Sequence, residues 1–295
     1  MTARATTAVT PARSSAPLSL FLRATVAVHA LLLPALLIWP AQWRWALAAL
    51  VLNHGLITLG GLWPRAGWLG PNLTRLPPAA AARGEVALTI DDGPDPAVTP
   101  AVLRLLKAHE ARATFFCIAQ RAAEHPSLVA DIVAQGHSVQ NHSLRHRHTF
   151  SFLGPRGFLA EISEAQRLLG GLTGEAPRFF RAPAGLRNPF LQPVLQRLGL
   201  QLTSWTRRGF DTREVDAERV LERLTRGLAG GDILLLHDGH AARNSQGQPV
   251  VLQVLPALLA RIRQQGLHCV TLPEAMADPL PGSSVFLPLQ ASPEA

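Results

Sequence analysis

The stretch VALTIDDGPDPAVTPAVLRLLKAHE, residues 86–110, decides the fold. It opens on an apolar run, VALTI, passes through Asp-Asp-Gly-Pro and enters a helical pattern, TPAVLRLLKAHE. That order is strand, turn, helix. The same texture repeats downstream. ATFFCI precedes HPSLVADIVAQG, HSVQNH precedes RGFLAEISEAQRLLGGL, and RFFRA precedes NPFLQPVLQRLG. LQLTSW then precedes VDAERVLERLTRGL, DILLLHD precedes VVLQVLPALLARIRQQG, and HCVTL closes the series. Seven strand candidates therefore alternate with helices across residues 85–277. Alternation of this kind gives an α/β fold with a parallel sheet or barrel. Seven units suit a compact (β/α)7 barrel, slightly short of the usual eight.

Upstream the texture differs. Residues 64–84 (PRAGWLGPNLTRLPPAAAARG) read as a linker rich in Pro, Gly and Ala. Before it lie two apolar runs, 18–39 and 45–63. Each approaches the ~20 residues that cross a bilayer. Arg23 sits near the start of the first, where its side chain can snorkel to the interface. Trp39, Trp43, Trp45, Trp63 and Trp68 cluster at the ends like an aromatic belt. The pair is expected to be a transmembrane hairpin. A helical subdomain packed on the downstream domain is the main alternative. A cleaved signal peptide fits less well, because the first run is long and no small-x-small site follows it. Arg4 and Arg13 precede the hairpin, Arg65, Arg75 and Arg83 follow it, and the connection holds only Arg44. That count favours the cytoplasmic side for the domain, the periplasm of a bacterial inner membrane being the alternative. Residues 1–17 and 278–295 read as loose tails.

Composition narrows the class. A mean hydropathy of +0.15 with 16% charged residues excludes a disordered chain. Net charge is +8, yet the arginines are scattered, without a dense run or interleaved aromatics. Nucleic acid is not an expected partner. Cys117 and Cys269 stand far apart in apolar runs and read as two buried thiols.

In a parallel α/β barrel the site forms at the C-terminal strand ends. The first strand ends on Asp91 and Asp92, and the third on Asn141 and His142, with His146 and His148 beyond. The fourth ends on Arg181, followed by Ala182, Pro183, Ala184 and Gly185. The fifth ends on Trp205 with Asp211 in its loop, and the sixth on His237 and Asp238. Singly, these are turns, caps or surface pairs. Together they supply a carboxylate and two imidazoles, a metal site with open positions, with a second carboxylate and a distant His left over as base and acid. His142 and His146 are spaced one helical turn apart, a chelating spacing that favours His146 over His148.

Five ordered segments resemble the motifs of the polysaccharide deacetylases, the NodB-homology group of carbohydrate esterase family 4. They are Thr89-Ile90-Asp91-Asp92-Gly93-Pro94, Asn141-His142-Ser143-Leu144-Arg145-His146, Arg181-Ala182-Pro183-Ala184-Gly185, Trp205 to Asp211, and Leu235-Leu236-His237. The resemblance covers roughly residues 84–277. It implies a distorted (β/α) barrel. It implies one divalent metal, zinc first and Co, Ni, Fe or Mn next, on Asp92, His142 and His146. Asp91 would be the base, held by Arg181. His237 would be the acid, supported by Asp211. Leu235 would line the acetyl pocket, and Pro183 would belong to the substrate-binding loop. One departure stands out: the family often carries Trp directly after the Asp of its fourth motif, and here that residue is Thr212. Trp205 is left as the candidate aromatic wall.

The implied reaction is hydrolysis of an N-acyl, by first choice N-acetyl, amino sugar. The metal polarises the amide carbonyl and acidifies water. Asp91 takes the water's proton, and His237 protonates the leaving amine. The substrate would be a polysaccharide or a lipid-linked saccharide, the latter favoured by the apolar runs and the basic charge. Two alternatives stand beside this reading: a membrane-anchored metal hydrolase of a non-sugar amide or ester, and a catalytically dead carbohydrate-binding module.

Overall fold

The computed structural model describes residues 18–277; both expected tails, 1–17 and 278–295, lie outside the described residues. In chain order the elements are α1 (Leu20–Ile38), α2 (Trp43–Leu62), α3 (Pro78–Ala82), β1 (Glu85–Asp91), α4 (Thr99–Ala108), β2 (Thr114–Cys117), α5 (Ala119–Glu124), α6 (Pro126–Ala134) and β3 (Ser138–Asn141). There follow α7 (Pro155–Thr173), β4 (Phe179–Phe180), α8 (Leu191–Arg197), β5 (Gln201–Leu202), β6 (Arg207–Arg208), α9 (Ala217–Thr225), β7 (Ile233–His237), α10 (Val250–Gln264), β8 (His268–Val270) and α11 (Leu272–Ala275).

Every residue of β1 and of β7 is buried, as continuous apolar strands covered on both faces must be. The two-residue period of the strand sorts the side chains. Val86, Leu88 and Ile90 join the core beneath the helices, with Val102 and Leu106 of α4, Val129 and Ile132 of α6, Leu169 of α7, Leu224 of α9 and Leu258 of α10. Ala87 faces the other way, into a smaller cluster with Phe116, Trp205, Ile233 and Leu235. Thr89 and Asp91 share that inner face.

The sheet is parallel, in the order β5-β4-β3-β2-β1-β7-β6, with β8 pairing the first half of β1. It is the expected distorted barrel, curled but open, with eight strands where seven were expected. The extra strand is β6. Two arginines carry no hydropathy signal, so nothing in the apolar pattern marks it.

Residues 64–84 do not behave as a linker. Leu73 inserts between the sheet's two edges: its N–H donates to the Leu202 carbonyl (2.9 Å) and its own carbonyl accepts from Ser204 N–H (2.8 Å). Thr206 Oγ1 donates to the Thr74 carbonyl (2.8 Å), and Leu76 N–H to the Gly231 carbonyl (2.8 Å). Ala66, Leu69, Leu76 and Ala80 are buried. Apart from the short α3, the segment lacks periodicity because it fills a seam.

The two apolar runs form α1 and α2, close to their expected bounds. Both are long and apolar enough to cross a membrane. Only 6% and 17% of their apolar windows are buried, so neither is a core helix of the domain. Ser19 caps α1 and donates to the Trp68 carbonyl (2.6 Å). Asn53 Nδ2 donates to Thr25 Oγ1 (3.0 Å), joining the helices. Cys117 is buried and Cys269 partly so, both as free thiols.

Candidate active site

β1 and β7 lie in register with Asp91 beside His237 and Thr89 beside Leu235. The alternation that buries the Val and Leu side chains outside therefore delivers two titratable groups to one point inside. Both line a cavity of about 620 Å³, with Asp92, His142, His146, Trp205 and Leu235 also in its wall.

Asp92 follows β1 with a left-handed backbone (φ 74°) that turns its carboxylate from the strand direction toward the imidazoles. Its Oδ1 lies 3.2 Å from His142 Nε2 and 3.2 Å from His146 Nε2. The strand-end turn depends on Gly93, where a Cβ would overlap the Asp238 carboxylate. Asp238 is buried, accepts from Thr99 Oγ1 (2.5 Å) and from Gly239 N–H, and is pushed up to about 7 by burial.

His142 and His146 are not on a helix. Ser143 (φ 67°) and His146 (φ 51°) both adopt left-handed backbone. Asn141 Oδ1 accepts from Ser143 N–H (2.9 Å), and Ser143 Oγ accepts from His146 N–H (3.0 Å). These local bonds replace a helical turn, correcting the expected geometry, and still bring the rings to 4.8 Å. His148 lines the cavity outside this cluster.

The donor set fits a divalent metal. One ligand atom each from Asp92, His142 and His146 falls within 4.8 Å of the others. Asp92 Oδ1 is buried without a hydrogen-bond donor, an orphan that a cation satisfies. His142 Nδ1 faces the Arg181 carbonyl at 2.8 Å, which fixes the ring and leaves Nε2 as its lone-pair atom. Burial opposes the Asp92 charge, but the surrounding histidines hold its carboxyl far below the usual range. Burial above all lowers His146 to about 4, keeping it neutral.

Arg181 is fully buried beneath Asp91. Its Nη1 donates to Asp91 Oδ1 (2.7 Å) and Thr89 Oγ1 (2.8 Å), and its Nη2 to the Ser204 carbonyl (2.8 Å). Its guanidinium stacks on Phe116 at 4.1 Å. It touches Asp91 and lies outside the cavity wall, so it is a positioning residue. Asp211 holds His237 at two points, accepting from its N–H (2.7 Å) and pairing with Nδ1 (2.9 Å). Burial alone would lower His237, but the Asp211 charge and hydrogen bond outweigh it and raise the ring to about 9. Pro183 is buried at the start of a short turn and does not line the cavity, whereas its neighbours Ala182, Ala184 and Gly185 do.

Several lining residues escaped the sequence reading, among them Arg121, Glu124, Arg208, Arg213 and His240. His240 Nδ1 lies 3.2 Å from Asp92 Oδ2 and its Nε2 2.9 Å from Arg121 Nη2. Its place three residues past His237 was the available signal, but it lies beyond the strand end.

The profile of the family described as Polysaccharide deacetylase matches residues 79–203. The chain is 33% identical over 193 residues to a peptidoglycan-N-acetylglucosamine deacetylase of Bacillus cereus, covering 65% of this chain and 87% of that one. It is 35% identical over 193 residues to a chitooligosaccharide deacetylase of Azorhizobium caulinodans, covering 61% and 90%. Among solved structures, a family 4 carbohydrate esterase from Streptomyces lividans in complex with acetate superposes with a TM-score of 0.57 at 33% identity, covering 63% and 91%. With relatives matched over nearly their whole length and a curled parallel sheet in common, this chain belongs to the polysaccharide deacetylase family.

Proposed function

We propose that the protein is a membrane-anchored, metal-dependent deacetylase that removes an N-acyl group, N-acetyl by first choice, from an amino sugar in a saccharide. The observation that carries this reading is the placement of Asp91 and His237 in register across β1 and β7, beside the Asp92–His142–His146 cluster. The relatives' activity on N-acetylglucosamine saccharides supports the substrate class.

Zinc is the proposed metal, since two imidazoles and one carboxylate with open positions suit it. When bound, it supplies Lewis-acid polarisation of the amide carbonyl and acidifies water. The protein's residues do the rest. Asp91 has one oxygen tied to Arg181, leaving Oδ2 to accept the attacking water's proton. His237 has Nδ1 tied to Asp211, leaving Nε2–H to protonate the departing amine. Leu235, Trp205 and Ala182 offer apolar contacts for the acyl methyl and the sugar face. The products are a carboxylate and a free amine.

The test is metal content and amine release, measured together on the purified full chain with N-acetylglucosamine oligomers. One equivalent of metal with free amine produced supports the reading. A folded protein that binds no metal overturns it and leaves a binding module.

A further inference from the structure

The wall formed by Trp205, Arg208 and Arg213 carries more positive charge than hydrolysis of a neutral amide needs. Arg208 stacks on Trp205 (5.2 Å) and Phe210 (5.1 Å), and its Nε has no hydrogen-bond partner among the described residues. Neither Arg208 nor Arg213 forms an ion pair among the described residues. Of the cavity's acids, Asp91 pairs with Arg181, Asp92 lies with the histidines, and Glu124 accepts from Gln120 Nε2 (3.2 Å), none of them with Arg208 or Arg213. Free guanidiniums beside a substrate cavity are placed for an anion brought in by the ligand, and their planar fork matches phosphate.

The same wall is where the apolar hairpin is built into the domain. Arg187 N–H donates to the Gly61 carbonyl in the last turn of α2 (3.1 Å), and a Cβ on Gly61 would overlap the Arg187 carbonyl. Pro64 seats against the active-site loop: a Cβ on Gly185 would stand 2.7 Å from Pro64 and 2.7 Å from the Trp205 ring. Ser204 Oγ donates to the Pro64 carbonyl (2.6 Å), and Arg65 Nη1 to the Thr206 carbonyl (3.2 Å). Beyond Arg187, Phe190 is exposed, and Asn188 ties in the loop that exposes Phe152. Exposed aromatics with guanidiniums are the chemistry of a membrane interface. With α2 in a bilayer, this wall lies at headgroup depth.

We infer that the acylated amino sugar reaches this cavity from the membrane, joined through phosphate to a lipid, with Arg208 and Arg213 as its phosphate contacts. The inference rests on the deacetylase reading and adds the carrier. A neutral glycan offers these guanidiniums hydroxyl and carbonyl acceptors but no opposite charge. A soluble sugar phosphate satisfies them but gains nothing from the hairpin.

The experiment uses the full chain in phospholipid nanodiscs and reads amine release. Three substrates are compared: N-acetylglucosamine joined through phosphate to a lipid, soluble N-acetylglucosamine 1-phosphate, and neutral tri-N-acetylchitotriose. The lipid-linked substrate is expected to have the highest kcat/KM. Arg213→Gln is expected to raise KM for both phosphorylated substrates about tenfold more than for the neutral one, the loss of one charge-assisted contact. Equal kcat/KM for all three, with R213Q acting equally on each, overturns the inference and leaves the deacetylase reading intact. Soluble phosphate matching the lipid-linked form overturns delivery from the membrane. Amine from none of the three overturns the deacetylase reading, and the inference with it.

Discussion

Asp91 and His237 sit beside each other across two strands, and their environments push them toward opposite tasks. Asp91→Asn keeps the shape and the Arg181 contact but removes the proton acceptor. Turnover is expected to fall about 10³-fold or more while metal content is unchanged, as rate and elemental analysis on one preparation will show. His237 must be protonated to act as acid, so activity is present below its pKa and lost as pH rises through it. The ring is raised to about 9, and a divalent cation in the site lowers that value by repulsion. The alkaline limb of kcat is therefore expected below 9. Asp211→Asn removes the charge that holds the ring up and is expected to move that limb to lower pH. An unmoved limb would assign it to another group. At this scale the sequence was informative, because each group ends an apolar strand. Pro183 and His240 were among the misses: one is buried in a turn, and the other lies past the strand end where spacing carries no message.

The elements hold these groups through close approaches and local bonds. Gly93→Ala drives a methyl group into Asp238, a buried carboxyl with its own donors. A stability loss on the order of 3 kcal/mol is expected, with weaker metal binding, measured by denaturant unfolding and metal titration. The long strands and amphipathic helices were legible because burial on both faces, or on one, leaves a hydrophobic pattern. β6 was not, since two arginines read as surface. The His142–His146 loop was legible in spacing but not in conformation, because Asn141 and Ser143 override the helical turn with side-chain bonds. The seam segment was mistaken for a linker for the same lack of periodicity. Each fully buried Leu contributes about 1.5–3 kcal/mol. A chain beginning at residue 84 loses the buried Leu69 and Leu76 and the partly buried Leu73 together. It is expected to melt well below a chain beginning at residue 64, by calorimetry of the two.

At the scale of the whole molecule, a hairpin puts both its ends on one side of the membrane. The arginine count favours the cytoplasmic side, so alkaline phosphatase fused to the C-terminus is expected to be inactive; high phosphatase activity would reverse the orientation. Two apolar runs and a domain were legible in the sequence but not their union, which rests on contacts at Gly61, Pro64, Arg65 and Leu73. That union has a consequence in time. Thr74 meets Thr206 across 132 residues of chain. A growing chain makes the hairpin and its trailing strap first, and the strap waits unpartnered until the far edge of the sheet emerges. The seam is thus a contact of high sequence separation, among the costliest to close and late to form. If the apolar helices are the proposed anchor, their insertion precedes completion of the cavity, and activity arises only where that anchor has already been placed.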